Sequence, residues 1–113
     1  MPWKSTGVAV ATLPPGSLRE VTVGGASVLL VRLAEAVHAL DPYCPHAGGV
    51  LGEGELTLDG ARLTCPVHAA VFDATSGAVL ADPFGIQPPE GGVDPLTRYP
   101  VRVVGGVVEV DLP

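Results

Sequence analysis

The chain has 113 residues, of which 47% are hydrophobic, and this suits one compact domain with a single core. Twelve acidic and six basic residues give a net charge of −6, which argues against nucleic acid or an anionic membrane as a partner. The chain contains no run of 18 apolar residues, and its N-terminus lacks a signal-peptide pattern. We therefore expect a cytoplasmic protein without a membrane span.

The first half of the chain predicts short strands. Its apolar residues are mainly Val, Leu and Ala, and the whole chain carries 15 glycines and 12 prolines, which favour strands joined by tight turns. Residues 18–23 and 28–33 flank Gly24-Gly25, a pair typical of a two-residue hairpin turn. Residues 37–40 form a further strand. No helical period of useful length is present, so the expected fold class is all-β.

The second half repeats this pattern. Asp59-Gly60 predicts a hairpin between residues 55–58 and 61–64. Further hairpins are expected between residues 71–73 and 78–80, and between residues 99–104 and 107–110. Residues 84–97 have no period and exceed the usual connection length, so they form either a docking loop or an irregular surface excursion.

Both cysteines and two of the three histidines fall in two short runs. The first run is Cys44-Pro45-His46-Ala47-Gly48-Gly49, and the second is Thr64-Cys65-Pro66-Val67-His68. This concentration of ligands in a chain that is otherwise poor in them indicates one metal site. His38 stands outside both runs, and we expect it to be an ordinary strand residue.

The spacing of these ligands distinguishes between metals. Structural zinc sites usually place like ligands together in one loop. Here each loop carries one thiolate and one imidazole, which suits a binuclear centre with two thiolates on one iron and two imidazoles on the other. Thiolate-plus-imidazole sets also suit zinc, so a zinc-stabilised interaction module without a redox role is an alternative.

Cys-Pro-His-x-Gly-Gly followed by Cys-Pro-x-His-x-x-x-Phe-Asp resembles the Rieske ferredoxins, small electron carriers of bacterial oxygenase systems. The resemblance extends from about Trp3 to about Val110. It implies a single Rieske domain over residues 1–113, built of small antiparallel sheets, with a cluster-binding subdomain of two ligand loops at about residues 41–83. It also implies one Rieske-type [2Fe–2S] cluster per chain. The implied ligands are Cys44, His46, Cys65 and His68.

Seven further residues are expected around the cluster. Pro45 stiffens the first ligand loop, because proline fixes its own φ and lacks an N–H group. Gly48 and Gly49 allow a tight turn that brings N–H groups near inorganic sulfur. Pro83 matches a proline of the loop that covers the cluster in the family. The seven residues are Pro45, Gly48, Gly49, Pro66, Ala70, Phe72 and Pro83.

The second ligand loop also predicts the redox potential. High-potential Rieske proteins of respiratory complexes carry a loop-linking disulfide, and a serine and a tyrosine whose hydroxyls donate hydrogen bonds to the cluster and its thiolate. Here the matching positions are Ala70 and Phe72, which have no donor, and no cysteine remains for a disulfide. Without these donors we expect a potential of roughly −150 mV, at the low end of the Rieske range. Ala69, usually glycine in the family, is a departure that could crowd the loop.

The resemblance implies a soluble one-electron carrier between a flavin- or NAD(P)H-linked reductase and a terminal oxygenase, and not an enzyme. The chain has no GxGxxG dinucleotide fingerprint and no further ligand cluster for a mononuclear iron. A small subunit of an assimilatory nitrite reductase is the other redox alternative. The negative charge either steers the protein to a basic partner or only keeps it soluble. We expect a monomer.

Overall fold

The computed structural model describes residues 3–34, 36–43, 50–57, 61–66, 70–81 and 96–112. These residues form strands and two 3₁₀ helices, Val10–Thr12 and Leu51–Glu53. The strands are β1 Trp3–Ala9, β2 Leu18–Val23, β3 Ala26–Arg32, β4 Val37–Leu40, β5 Glu55–Thr57, β6 Arg62–Thr64, β7 Val71–Asp73, β8 Val79–Ala81, β9 Arg98–Tyr99, β10 Val101–Val104 and β11 Val107–Asp111. The described part of the chain contains no helix long and apolar enough to cross a bilayer.

The strands assemble into three antiparallel sheets. The first has the order β1-β11-β10 and joins the two ends of the chain. The second, which we call the central sheet, has the order β2-β3-β4-β9. The third, the ligand-loop sheet, has the order β5-β6-β7-β8 and contains the segments on either side of the second ligand loop. The prediction of an all-β fold is confirmed.

β3 lies between β2 and β4 in the central sheet, and its residues 28–31 are continuously apolar. Val28, Leu29, Leu30 and Val31 are all fully buried, because both faces of this strand are covered. Leu29 and Val31 belong to a core shared with the ligand-loop sheet. Val28 and Leu30 belong to a second core shared with β11 of the first sheet. The central sheet thus separates two cores, where the sequence predicted a single one.

The predicted two-residue turns at Gly24-Gly25 and Gly105-Gly106 are confirmed, whereas the one predicted at Asp59-Gly60 lies outside the described residues. Val23 pairs with Ala26 across Gly24-Gly25, and Val104 pairs with Val107 across Gly105-Gly106. All four glycines have positive φ, between 58° and 85°. Such turns match the right-handed twist of the strands, and residues with a Cβ rarely adopt their conformation.

The predicted strand over residues 99–104 is wrong in one respect. Pro100 divides it into β9, which pairs with β4, and β10, which pairs with β11 in another sheet. Proline has no N–H group to donate to a ladder, so the chain changes sheets there. The pairing of Trp3, at the start of β1, with Asp111 was also not predicted from the sequence.

Candidate metal centre

The first ligand loop is bounded by two short segments that are tied together. Its entry stem is residues 41–43, and its exit stem is residues 50–54. Tyr43 forms an isolated antiparallel bridge with Val50, and the Leu51 N–H donates to the Pro42 carbonyl at 2.9 Å. Leu51 and Pro42 are buried. The loop therefore leaves and returns at one fixed place.

A second connection holds the entry stem to β9. The Tyr99 hydroxyl donates to Asp41 Oδ1 at 2.6 Å, and the Asp41 N–H donates to the Thr97 carbonyl at 2.9 Å. Burial, and then the bond to the Asp41 carboxylate, raises the pKa of Tyr99 to about 12. The phenol therefore stays protonated and remains a donor at neutral pH.

The second ligand loop is closed by the β6–β7 pair. Thr64 pairs with Val71. Beyond this pair, on the side of the loop, the Cys65 N–H donates a 2.8 Å hydrogen bond to the Ala70 carbonyl. Cys65 is only 1% exposed, and Ala70 is fully buried. The backbone of Cys65 is thus bonded across the loop and its side chain is buried.

The two ligand-bearing segments share one hydrophobic core. Leu51 from the exit stem of the first loop packs with Leu63, Cys65, Ala70 and Phe72 of the ligand-loop sheet. Each of these five residues is at most 1% exposed to solvent. Leu63 and Phe72 are also paired residues of β6 and β7. Apolar packing therefore brings the stem of one loop beside the cysteine of the other.

The predicted site residues divide into two groups. Cys65, Ala70 and Phe72 come together in this core, and Pro66 is exposed beside Cys65. The predicted excursion over residues 84–97 is described only at residues 96 and 97. The other predicted site residues lie outside the described residues; they are Cys44, Pro45, His46, Gly48, Gly49, His68 and Pro83. For the two ligand loops, the structure gives the geometry of the segments at the loop ends.

His38 is placed near charged groups of the central and ligand-loop sheets. It lies on β4, where burial and then the nearby positive charge of Arg98 lower its pKa, while Asp73 acts in the opposite direction. The Asp73 carboxylate itself accepts bonds from the Thr75 hydroxyl at 2.6 Å and the Thr75 N–H at 2.8 Å, which lower its pKa. Its surroundings therefore favour the neutral form of His38.

Comparison with known proteins identifies the fold that carries these loops. The family model described as "Rieske [2Fe-2S] domain" matches residues 6–99, which is most of the chain. The chain belongs to the Rieske family. The match includes both ligand loops and every strand from β2 to β9. A Rieske-type [2Fe–2S] cluster is thus the cofactor of this domain.

Several relatives resemble this Rieske protein over nearly its whole length. The 3-phenylpropionate/cinnamic acid dioxygenase ferredoxin subunit of Escherichia coli K12 is 34% identical over 104 residues, covering 92% of this chain and 89% of the relative. The ferredoxin of carbazole 1,9a-dioxygenase from Nocardioides aromaticivorans superposes with a TM-score of 0.82 at 27% identity, covering 97% of this chain and 98% of that one. These similarities extend to both ends of the fold.

Two further solved structures bear on partners. One is a complex of reduced oxygenase and oxidized ferredoxin in carbazole 1,9a-dioxygenase, with a TM-score of 0.78, 28% identity, and coverage of 97% and 93% of the two chains. The other is a putative NADH-dependent nitrite reductase small subunit from Mycobacterium tuberculosis, with a TM-score of 0.75, 27% identity, and coverage of 96% and 92%. The same fold thus occurs in two kinds of redox system.

The described residues fit the cluster of the Rieske family. Cys65 is buried at the end of β6 beside Ala70 and Phe72, in a site walled by apolar side chains. An apolar wall suits an iron–sulfur cluster, because thiolate is a soft ligand and exclusion of water tunes the potential. The stems of the first loop approach this wall through Leu51.

Two features of the site were missed in the sequence. The Tyr99–Asp41 bond joins residues 58 positions apart, and no local pattern signals it. Gly54 lies in the run Gly52-Glu53-Gly54, which indicates a turn but not what the turn packs against. Both features concern how the ligand loops are held.

Proposed function

We propose that this Rieske protein is a one-electron carrier between a flavin- or NAD(P)H-linked reductase and a terminal ring-hydroxylating oxygenase. The observation that carries the proposal is the match with ferredoxin components over about nine-tenths of both chains at 34% identity. A relative matched over nearly its entire length shares the whole electron-carrying unit. The 113 residues contain neither a dinucleotide fingerprint nor a second ligand cluster for oxygen activation.

The ligand set proposed for the cluster is one cysteine and one histidine from each loop. Cys44 and Cys65 would hold one iron, and His46 and His68 the other. The cluster, when bound, supplies the site that takes up and gives out one electron. The protein contributes the buried Cys65, whose backbone N–H is already committed to the Ala70 carbonyl. Residues 1–113 would form one domain, with the cluster-binding part at about residues 41–83.

The proposed carrier is of the low-potential type. Ala70 and Phe72 are fully buried next to Cys65, and neither side chain carries a donor. Hydrogen bonds to the sulfur atoms stabilise the more negative, reduced cluster. An apolar wall at these positions therefore supports a potential of roughly −150 mV.

The proposed partners follow from relatives and from charge. In the carbazole 1,9a-dioxygenase system, a ferredoxin of this fold forms a complex with its oxygenase. A net charge of −6 would favour encounter with a positively charged surface on the partner. We propose that this protein acts as a cytoplasmic monomer that docks transiently on its reductase and its oxygenase.

An EPR spectrum of the dithionite-reduced protein, with iron and sulfide analysis, tests the ligand proposal. We expect a rhombic signal with an average g below the free-electron value, and about two irons and two sulfides per chain. His46→Ala and His68→Ala should abolish this signal. His38→Ala is the matched control and should retain it, because His38 lies on β4 outside both loops. An EPR-silent protein containing one zinc would overturn the proposal in favour of a structural module.

A nitrite reductase small subunit is the second candidate, favoured by the structural match to the Mycobacterium tuberculosis protein. Stopped-flow mixing distinguishes the two. A reduced carrier for oxygenases should be reoxidised rapidly by a ring-hydroxylating oxygenase and should not bind the large subunit of a nitrite reductase. Stable co-purification with that large subunit, without electron transfer to an oxygenase, would support the second candidate instead.

A further inference from the structure

Gly54 lies where the exit stem of the first ligand loop meets the start of the second. It follows the 3₁₀ helix Leu51–Glu53 and precedes β5, whose first residue, Glu55, pairs with Thr64. Gly54 is therefore next to the chain that leads directly into Cys65. Its φ is −84°, which any residue can adopt, so its backbone conformation does not require glycine.

Glycine is required at this position because of space. A Cβ on Gly54 would overlap the carbonyl oxygen of Thr64, and it would lie 3.2 Å from the Leu51 carbonyl oxygen and 3.3 Å from Pro66 Cδ. Two of these three atoms belong to the backbone and cannot rotate away. A side chain at residue 54 would therefore push the two segments apart.

Such a separation would be transmitted to both loops. The Gly54 N–H donates to the Leu51 carbonyl at 3.0 Å, and Leu51 is in turn bonded to Pro42 at the loop entry. On the other side of the contact, the Cys65 N–H is bonded to the Ala70 carbonyl. The ends of each loop are thus bonded to one another, and Gly54 makes a direct backbone contact between the segment that follows the first loop and the segment that precedes the second.

We propose that Gly54 is a positioning residue that sets the spacing between the two ligand loops, and thereby their fit to the [2Fe–2S] cluster. This inference rests on the proposed function. In the proposed ligation each iron takes one ligand from each loop, so a change in spacing misplaces ligands on both irons. Residues that orient metal ligands in this indirect way typically contribute roughly 10–100-fold to metal affinity.

The experiment compares Gly54→Ala with Gly52→Ala in the holoprotein. Gly52 precedes it by two residues, and a Cβ there would lie 3.6 Å from Leu29 Cδ1, an ordinary contact. For each variant we would measure iron and sulfide per chain, the rate of iron transfer to a chelator, and the EPR g values after reduction. Urea unfolding is followed in addition by the fluorescence of Trp3, the only tryptophan. Trp3 lies on β1, outside the ligand-loop sheet, so its transition shows whether the rest of the protein is folded.

We expect Gly54→Ala to lose iron roughly 10–100-fold faster than the wild type and to show altered g values, with the Trp3 transition retained. Gly52→Ala should match the wild type in every measurement. Wild-type iron content, release rate and g values in Gly54→Ala would overturn the inference. So would equal losses in both variants, or a Gly54→Ala chain without a Trp3 transition, since Gly54 would then be a requirement of the whole fold. A wild-type protein without iron would instead overturn the proposed function.

Discussion

The hydroxyl of Tyr99 donates a 2.6 Å hydrogen bond to the Asp41 carboxylate, and this bond ties β9 to the entry of the first ligand loop. Tyr99 follows the long segment that leaves the ligand-loop sheet after β8, and Asp41 lies three residues before Cys44. β9 thus holds the segment that leads into Cys44. The Thr97 carbonyl adds a second bond, from the Asp41 N–H.

Tyr99→Phe should lower the stability of the folded protein by roughly 1.5 kcal/mol at pH 7, the usual contribution of a hydrogen bond to a charged group. The measurement is the urea midpoint followed by Trp3 fluorescence. Tyr43→Phe is the matched control, because the Tyr43 hydroxyl makes only an exposed 3.3 Å bond to Glu20. A control variant as destabilised as Tyr99→Phe would contradict this assignment.

The same bond predicts a loss of stability in alkali. The pKa of Tyr99 is raised from its usual value near 10 to about 12, so the unfolded chain releases this proton first as the pH rises. The contribution of Tyr99 to stability is complete below pH 10 and is lost as the pH rises from 10 towards 12. Tyr99→Phe should therefore show a smaller decline than the wild type over this interval. Parallel curves of stability against pH for the two proteins would refute the raised pKa of Tyr99.

His38 predicts a second pH dependence, on the acid side. Its pKa is lowered, so the unfolded chain binds a proton more readily than the folded one does. The contribution of His38 to stability is therefore present above the ordinary histidine pKa of about 6.5, and it is lost as the pH falls below that value. His38→Gln should show a weaker decline than the wild type below that pH, with the EPR signal unchanged. A changed signal would instead place His38 at the cluster.

Ala70→Ser should raise the midpoint potential by roughly 40–60 mV. A hydroxyl that donates to the cluster would favour the reduced state by about 1–1.4 kcal/mol, and this converts directly to a potential for one electron. Ala39→Ser is the control, because Ala39 is also fully buried but belongs to the other core. It should destabilise the fold without moving the potential. Equal potentials in Ala70→Ser and the wild type would contradict the donor argument.

Gly77→Ala should destabilise the protein by roughly 3 kcal/mol. Gly77 has a φ of +82°, and a Cβ there would overlap the carbonyl oxygen of the buried Leu96. Gly106→Ala is the matched control, with a φ of +80° and nothing within 4 Å of the added Cβ. It should lose only about 1–2 kcal/mol for the left-handed conformation, so the difference in urea midpoint measures the contact. Equal losses of stability in the two variants would show that Leu96 moves aside at no cost and would contradict this prediction.

Much of the local structure could be predicted because its causes are local. Gly24-Gly25 and Gly105-Gly106 supply the positive φ that their hairpins need, and the hairpins formed where expected. Cys65, Ala70 and Phe72 were placed by their position in a short motif, and the structure brings them together. Pro100 was visible in the sequence, but its role was missed because a change of sheet depends on both partner strands.

The sequence by itself determined the all-β class and the hairpins at Gly24-Gly25 and Gly105-Gly106, because turn conformations depend on residues close together in the chain. Only the tertiary structure decided which strands lie at the ligand loops and what holds those loops. The Tyr99–Asp41 bond spans 58 residues, and the need for glycine at residue 54 comes from the Thr64 carbonyl on another strand. Such contacts depend on how the two cores pack on the opposite faces of β3. Burial selects them among many arrangements that the local pattern would allow.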